Sequence, residues 1–330
     1  MLSEDKIINI SESETIFSVV IPVYNRQDLI SYSIESVLKQ TFTDFELIIV
    51  DDGSTDNTPA VVNSFTDPRI VYFRKENGER GAARNFGFRK AKGKLVVFLD
   101  SDDLMKPDHL SNLYNCSQKF KYVSIFSTRY DIIKNEKILP GYLGKYHSGL
   151  YDHKTFLKGD WLACNLCLRR NNPKLILFNE DRSLAIMEDW IFMLQNLTID
   201  RLYYNDKATV SLRDHSERSM NMKSSEIIPK KIKAAEWIEK NVFLSDKDLK
   251  TLWAYSFFFC AIHLYIENMQ MKSFQYLFRA IRKKGLKKDF IILFLKNILG
   301  YKVTASLIRV IKNNLFASML LSKSRRKWMK

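Results

Sequence analysis

The first hundred residues repeat one arrangement three times: a short apolar run rich in β-branched residues, halted by polar or acidic side chains. Phe17–Pro22 (FSVVIP) runs into Val23, Tyr24 and Asn25. Phe45–Val50 (FELIIV) runs into Asp51–Asp56 (DDGSTD), and Lys94–Leu99 (KLVVFL) into Asp100–Asp103 (DSDD). Runs this short, without polar alternation, suit strands buried on both faces of a parallel sheet. Between the first two, Ile30, Ile34, Val37 and Leu38 fall at helical spacing within Arg26–Gln40, and Asn25 is the expected N-cap. Thr58–Phe65 reads as a second helix and Val71–Phe73 as a short strand. Ala82–Ala91 reads as a third helix, with Gly93 as its stop. Strand and helix thus alternate, which predicts an α/β fold with an open, mostly parallel sheet and right-handed crossovers.

Such sheets bind ligands outside the carboxyl ends of their strands. Here three polar strand ends share one sheet edge, so that edge is the candidate site. No G-x-G-x-x-G follows the first run and no G-x-x-x-x-G-K-[ST] occurs, which excludes the two glycine-rich phosphate cradles. Asp100 and Asp102 form a D-x-D, whose carboxylate oxygens suit a hard divalent cation that bridges to substrate phosphates. From about residue 108 to 215 the pattern is less regular. Tyr122–Ser127 and Ala208–Leu212 are candidate strands there and Asp189–Gln195 a candidate helix; beyond about residue 225 the chain reads as helical.

Four blocks in order, IPVYN, QTFTDFELIIVDDGSTDNT, GAARNFGFRKAKG and FLDSDDLMKPDHL, resemble the family-2 glycosyltransferases, which have the GT-A nucleotide-sugar fold. The resemblance covers about residues 17–110 in register and extends loosely to about 215. It implies an enzyme transferring a sugar from a nucleotide-sugar, most often a UDP-sugar, with Mg2+ or Mn2+. Pro22 and Tyr24 match positions flanking the uracil, with Asn25 beside them. Asp52 matches the aspartate that bonds the base, with Asp51 adjacent, and Arg84 and Asn85 match an R-N pair lining the nucleotide side. Asp100, Ser101 and Asp102 match the D-x-D, Asp102 being the main metal ligand. In Met187–Trp190 (MEDW), Asp189 matches the catalytic base and Glu188 an acceptor contact or loop anchor. A base is required because the acceptor hydroxyl must lose its proton as it attacks. Arg213 and His215 match a stretch ordered over the diphosphate, with His215 a diphosphate contact or third metal ligand. Leu212 stands where an aromatic residue is common in the family.

The formal net charge of +15 is unevenly placed. Residues 268–330 hold 16 Lys/Arg and one acid, Asp289, so the rest of the chain is neutral. Leu307, Ile308, Ile311, Leu315 and Met319 follow one helical face within this basic stretch, a pattern that fits an anionic membrane surface or, alternatively, a helix packed on the core with a solvated basic face. No recognisable nucleic-acid module accompanies the charge, so nucleic acid is not an expected partner. The first 15 residues carry four acids and no apolar h-region, and read as a polar lead-in rather than a signal peptide. Leu252–Ile266 and Phe290–Tyr301 fall short of the ~20 apolar residues of a membrane span and read as buried helices, with an interfacial membrane segment as the alternative. Four cysteines suit a reducing compartment. Cys164 and Cys167 form a lone C-x-x-C without the further ligands a zinc site needs, and read as buried thiols. The expected location is cytoplasmic, peripheral on the inner face of the plasma membrane.

The expected organisation is a lead-in over 1–15, a nucleotide-sugar half over 16–110, an acceptor half over 111–220 carrying Trp161 near the acceptor, and a helical basic region over 221–330. The expected acceptor is a cell-surface glycan or a lipid-linked glycan. Two other readings compete. A nucleotidyltransferase would need a glycine-rich basic loop after the first strand, where this chain has PVYNRQD. A non-catalytic nucleotide-sugar binder would be favoured by loss of Asp102 or Asp189, and both are present.

Overall fold

The computed structural model describes residues 15–141, 146–159, 162, 165–215, 222–300 and 303. Trp161, Cys164, residues 216–221, the expected helical face from Leu307 to Met319 and the final basic run lie outside the described residues. The chain divides into two compact units, Met1–Phe156 with Asp160–Ser219, and Leu157–Gly159 with Met220–Lys330.

The first unit is built on a ten-stranded sheet. Its amino-terminal part follows the alternation in the sequence: β1 Phe17–Val23, α1 Ile30–Leu38, β2 Phe45–Asp51, α2 Thr58–Asn63, β3 Ile70–Arg74, α3 Glu79–Lys90 and β4 Leu95–Phe98. There follow β5 Leu104–Met105, α4 His109–Lys119, β6 Ile125–Lys134, β7 Lys137–Pro140 and β8 Gly149–Tyr151. The unit is completed by α5 His153–Phe156, β9 Cys167–Arg169, α6 Glu188–Leu197 and β10 Leu202–Arg213. Strand order along the sheet is β3-β2-β1-β4-β9-β6-β10-β5, with β7 paired to β6 and β8 to β10. The long ladders are parallel: β1 with β2 and β4, β2 with β3, and β6 with β10. Short β9 runs antiparallel between β4 and β6 and joins the two parallel groups. Every residue of β1 is buried, as its unbroken apolar run requires.

Pro22 sits inside this strand although it has no N–H to donate. The carbonyl of Val20 accepts from Leu99 on the β4 side and that of Val23 accepts from Asp52 on the β2 side. Pro22, in phase with Val20, therefore faces the β4 side just beyond the last residue of β4, where no ladder bond is lost.

Helix α3 lies close to the sheet because its inner face is small: Gly81, Ala82, Ala83 and Gly87 are buried. A Cβ on Gly87 would fall 2.4 Å from Val20 Cγ1. This close approach carries Arg84 beneath the carboxyl ends of the strands. Two details of the expected helices differ. Asn25 is not the cap of α1, whose N-cap is Leu29 without a side-chain bond. Gly93 does not end α3, which stops at Lys90 with an extended Ala91. Gly93 instead passes β1 so closely that a Cβ would lie 2.4 Å from the Ser18 amide nitrogen.

The second unit holds α7 Ser224–Asn241, α8 Asp246–Ile266, α9 Gln270–Lys284 and α10 Lys288–Leu299. Ser245 caps α8 by accepting from the Asp248 amide while its hydroxyl donates to the Asp248 carboxylate. Gly285 and Gly300, with φ of 71° and 77°, end α9 and α10 in the left-handed region. The core joins Ala254, Tyr255, Ala261 and Tyr265 of α8 to Leu277 and Ala280 of α9 and Phe290 and Leu293 of α10. At 21 residues α8 has the length and apolar content of a membrane span, more than the sequence reading allowed, and half of its most apolar window is buried within the protein.

Candidate active site at the carboxyl ends of the strands

The loops after β1 and β2 are zipped together by side chains that take backbone N–H groups. Asn25 Oδ1 accepts from the Thr55 amide at 2.8 Å, Ser54 Oγ from Asn25 at 3.0 Å, and Thr58 Oγ1 from Arg26 at 2.9 Å. Asp56 accepts from the amides of Gln27 and Thr58, so it serves as turn chemistry, and these bonds hold its carboxyl below the usual range against the upward pull of burial. Gly53, at φ 83°, lets the chain reverse inside DDGS. The turn leaves Tyr24 exposed at the rim, 46% open to solvent.

The two aspartates of DDGS have different surroundings. Asp51 is fully buried; it accepts from the Ser54 amide at 2.7 Å and the Tyr72 hydroxyl at 2.7 Å. Burial, followed by that bond to a carboxylate, pushes the Tyr72 hydroxyl well above its usual range. Asp52 accepts from the Gly78 amide at 3.0 Å and pairs with Lys75 at 2.7 Å. Lys75 and Gly78 line an open cavity of about 630 Å³ with Glu76, Asn77, Ala82, Glu180 and Arg182. Asn77 donates to the Asp52 carbonyl and its own carbonyl accepts from Arg182.

The centre of the site is Arg84, which has no solvent exposure. One guanidinium nitrogen donates to Asp100 at 2.8 Å, and the other to Asp189 at 2.9 Å and Glu188 at 3.3 Å. The guanidinium carbon stands 5.3 Å from the centre of the Phe178 ring. A single cation thus ties the first acid of D-x-D to both acids that open α6. Those acids are in the first turn of a helix, whose amino-terminal dipole also favours negative charge. Ile186, two residues before Glu188, has a left-handed φ of 82°, a conformation that is costly for a β-branched residue. Asn85, next to Arg84, spends its side chain elsewhere. It donates to the Phe178 carbonyl and Glu180 and accepts from the Phe178 amide, which fastens the 178–180 segment to α3.

Beyond Asp100, carboxylate oxygens of Asp100, Asp102 and Asp103 lie within 4.8 Å of one another. This is an oxygen donor set of the kind a hard divalent cation takes. Asp102 contacts His215 Nε2 at 2.8 Å. Asp103 is buried and accepts from the Arg213 amide at 3.1 Å, which pins the end of β10 to the D-x-D turn. The Arg213 guanidinium lies 4.4 Å over the ring of Tyr32 on α1. Ser101, between the two acids, is buried.

The structure therefore gathers Asp100, Asp102, Glu188, Asp189, Arg84, Arg213 and His215 at one edge. Tyr24, Asn25, Asp51 and Asp52 belong to the neighbouring β1 and β2 ends. Asp103, Lys75, Tyr32 and the lining residues Glu180 and Arg182 had not been singled out. Asp103 alone carried a signal, since it extends the acidic turn. Cys167 is buried in β9, and burial raises its thiol far above the usual range, in keeping with an inert side chain.

The mostly parallel α/β sheet with the acidic turn at its strand ends has the GT-A fold of the solved structures it is similar to. The sequence profile of Glycosyl transferase family 2 matches residues 18–169, a little under half of the chain, and that stretch is a domain of that family. Similar solved structures share its fold. TarS of S. aureus in complex with UDP-GlcNAc has a TM-score of 0.63 at 22% identity, covering 81% of each chain. The mannosyltransferase PcManGT of Pyrobaculum calidifontis with GDP-Man and Mn2+ has a TM-score of 0.55 at 16% identity, covering 86% of this chain and 79% of that one. Among curated relatives, the E. coli UDP-Glc:alpha-D-GlcNAc-diphosphoundecaprenol beta-1,3-glucosyltransferase WfgD is 39% identical over 123 residues, 37% of this chain and 48% of its own. The Bacillus subtilis minor teichoic acid biosynthesis protein GgaA is 32% identical over 210 residues, 57% of this chain and 44% of its own. The chain spans 23% of the length of a Rickettsia conorii glycosyltransferase to which it is 38% identical over 145 residues, 44% of this chain.

Proposed function

We propose that the protein is an inverting glycosyltransferase that moves a sugar from a UDP-sugar to a glycan or lipid-linked glycan acceptor, assisted by Mg2+ or Mn2+. The observation that carries this reading is the Arg84 bracket, which sets the helix-borne Asp189 beside the D-x-D turn. A transferase needs that juxtaposition: a base for the acceptor on one side and a seat for the leaving diphosphate on the other.

In this reading Asp189 takes the proton of the acceptor hydroxyl as its oxygen attacks the anomeric carbon. The nucleoside diphosphate departs from the opposite face, so one displacement inverts the configuration. Arg84 fixes the direction of the Asp189 carboxylate, and Glu188, buried beneath it, anchors the same guanidinium. Asp100, Asp102 and Asp103, with His215, would hold the divalent ion, which supplies neutralising charge to the departing diphosphate. Tyr24 offers a ring to the base and Asp52, with Pro22 and Asn25 shaping the loop, an acceptor for its N–H. Ser101 and Arg213 stand where the phosphates would enter. The UDP preference draws on TarS, solved with UDP-GlcNAc, and on WfgD, named for UDP-Glc. The lipid-linked acceptor draws on WfgD, whose name specifies a diphosphoundecaprenol substrate. An acceptor of that kind supports a position at the cytoplasmic face of a membrane.

The test is a donor screen: nucleotide release by purified full-length protein with UDP-, GDP- and dTDP-sugars, in Mg2+, in Mn2+ and in chelator. Release from a UDP-sugar that depends on metal is expected. Release from none of the donors, with or without a glycan acceptor, would overturn the reading.

A further inference from the structure

Helix α10 is apolar on two opposite sides, and only one of them is used. Phe290 and Leu293 turn inward onto α8 and α9. Ile291, Ile292, Leu295, Ile298 and Leu299 turn outward and are 45%, 42%, 53%, 62% and 50% exposed. At 3.6 residues per turn these five fall within an arc of about 120°, opposite the buried face. A helix apolar all round is ordinarily covered on every side, and a contiguous exposed aliphatic face of this kind marks an interaction surface. Leu286, in the turn just before α10, and Phe278 on α9 add 68% and 51% exposed apolar side chains.

The charge around this face selects its occupant. Residues 268–300 hold eight Lys/Arg and one acid, Asp289. Lys287 and Lys288 are exposed at the start of α10, and Arg279, Arg282 and Lys283 are exposed on α9. The chain's own remaining segment, residues 301–330, carries eight further Lys/Arg and no acid, so it does not complement this charge. A second copy would bring the same cations. An anionic lipid leaflet offers both an apolar interior for the five side chains and negative head groups for the lysines.

We infer that the outward face of α10 is a monotopic membrane-docking surface, in which Ile291, Ile292, Leu295, Ile298 and Leu299 enter an anionic leaflet and Lys287 and Lys288 meet its head groups. The helix lies along the membrane plane, because its other face is fixed in the core of the second unit. This deepens the membrane placement proposed above and does not depend on the identity of donor or acceptor.

The test is co-sedimentation of the full chain with phosphatidylcholine vesicles, with and without phosphatidylglycerol, at about 0.1 M and about 1 M salt, where the screening length falls from about 10 Å to about 3 Å. Binding to the anionic vesicles is expected, part of it surviving high salt. Leu295→Asn with Ile298→Asn, both solvent-facing, should weaken partitioning about tenfold or more and remove the salt-resistant part. Lys287→Gln with Lys288→Gln should reduce mainly the low-salt binding. No binding of the wild-type chain at low salt, or partitioning of the Asn variant within twofold of wild type, would overturn the inference. So would a vesicle-free dimer that the Asn variant abolishes, or a tenfold gain in vesicle binding on deleting residues 304–330, since either would identify a different cover. UDP binding measured on the same protein keeps this outcome separate from that of the donor screen.

Discussion

Removing Arg84 should make the burial of Glu188 harmful, and the effect has a sign that can be measured. Arg84 is wholly buried; of its three carboxylate partners Glu188 is the most enclosed, with 3% of its side chain exposed against 29% for Asp100 and 21% for Asp189. The second Glu188 oxygen is buried and has no hydrogen-bond partner among the described residues. Arg84→Met would therefore strand a buried carboxylate, a loss that typically costs about 3–5 kcal/mol. For a unit of this size that is a fall of roughly 6–20 °C in melting temperature. Glu188→Gln in the wild-type protein leaves Arg84 paired with Asp100 and Asp189 and should cost only about 1 kcal/mol. In the Arg84→Met background the same substitution should become stabilising, by about 1–3 kcal/mol, because it removes the stranded charge. Urea unfolding of the four proteins gives the cycle. Equal destabilisation by Glu188→Gln in both backgrounds would refute the bracket as the organising contact.

Three further outcomes are expected. His109 is fully enclosed, with Nδ1 against Thr209 Oγ1 at 2.8 Å, and burial pushes its pKa down to about 3. The unfolded chain takes up that proton below about pH 6.5 and the native one does not. Stability should therefore be whole above that pH and fall by about 1.4 kcal/mol per unit as pH drops towards 3, a slope that His109→Gln should flatten in pH-dependent denaturation. Gly87→Ala would set a methyl 2.4 Å from Val20 Cγ1 and should cost about 1–3 kcal/mol by thermal unfolding; an unchanged melting temperature would show that α3 has room to move. Asp102→Ala should abolish the metal dependence of donor binding in calorimetry, and an unaltered affinity in Mn2+ would remove Asp102 from the ion site.

The legible part of this structure is local. The runs FSVVIP, FELIIV and KLVVFL became β1, β2 and β4 because a strand buried on both faces must be continuously apolar. The acidic ends fell on one edge because parallel ladders align carboxyl ends. What the sequence concealed lies in long-range partnership. Nothing in GAARN shows that Arg84 would bridge acids 16, 104 and 105 residues away, or that its neighbour Asn85 would turn to Phe178 and Glu180. Asn25 resembled a helix cap because Asn favours that position, yet it bonds the next loop, 30 residues on. Asp103 looked like the tail of the D-x-D, and its partner, the Arg213 amide, is 110 residues away. Strand β9 is three residues long, too short to show a period, and it runs antiparallel to both of its neighbours. The two apolar faces of α10 were visible as composition, but only packing separates the face that is covered from the face that is not.

The central claim is that Asp189 removes the acceptor proton in a single inverting displacement. It is tested most directly by comparing the wild-type protein with Asp189→Asn, with turnover and donor affinity measured together and the linkage in the product read by NMR. The wild-type product should carry a β-linkage from an α-linked UDP-sugar. Asp189→Asn, which keeps the shape of the side chain, should lose about 10²–10⁴ in rate while donor affinity is retained. A product of retained configuration, or an Asp189→Asn protein turning over at the wild-type rate, would contradict the mechanism.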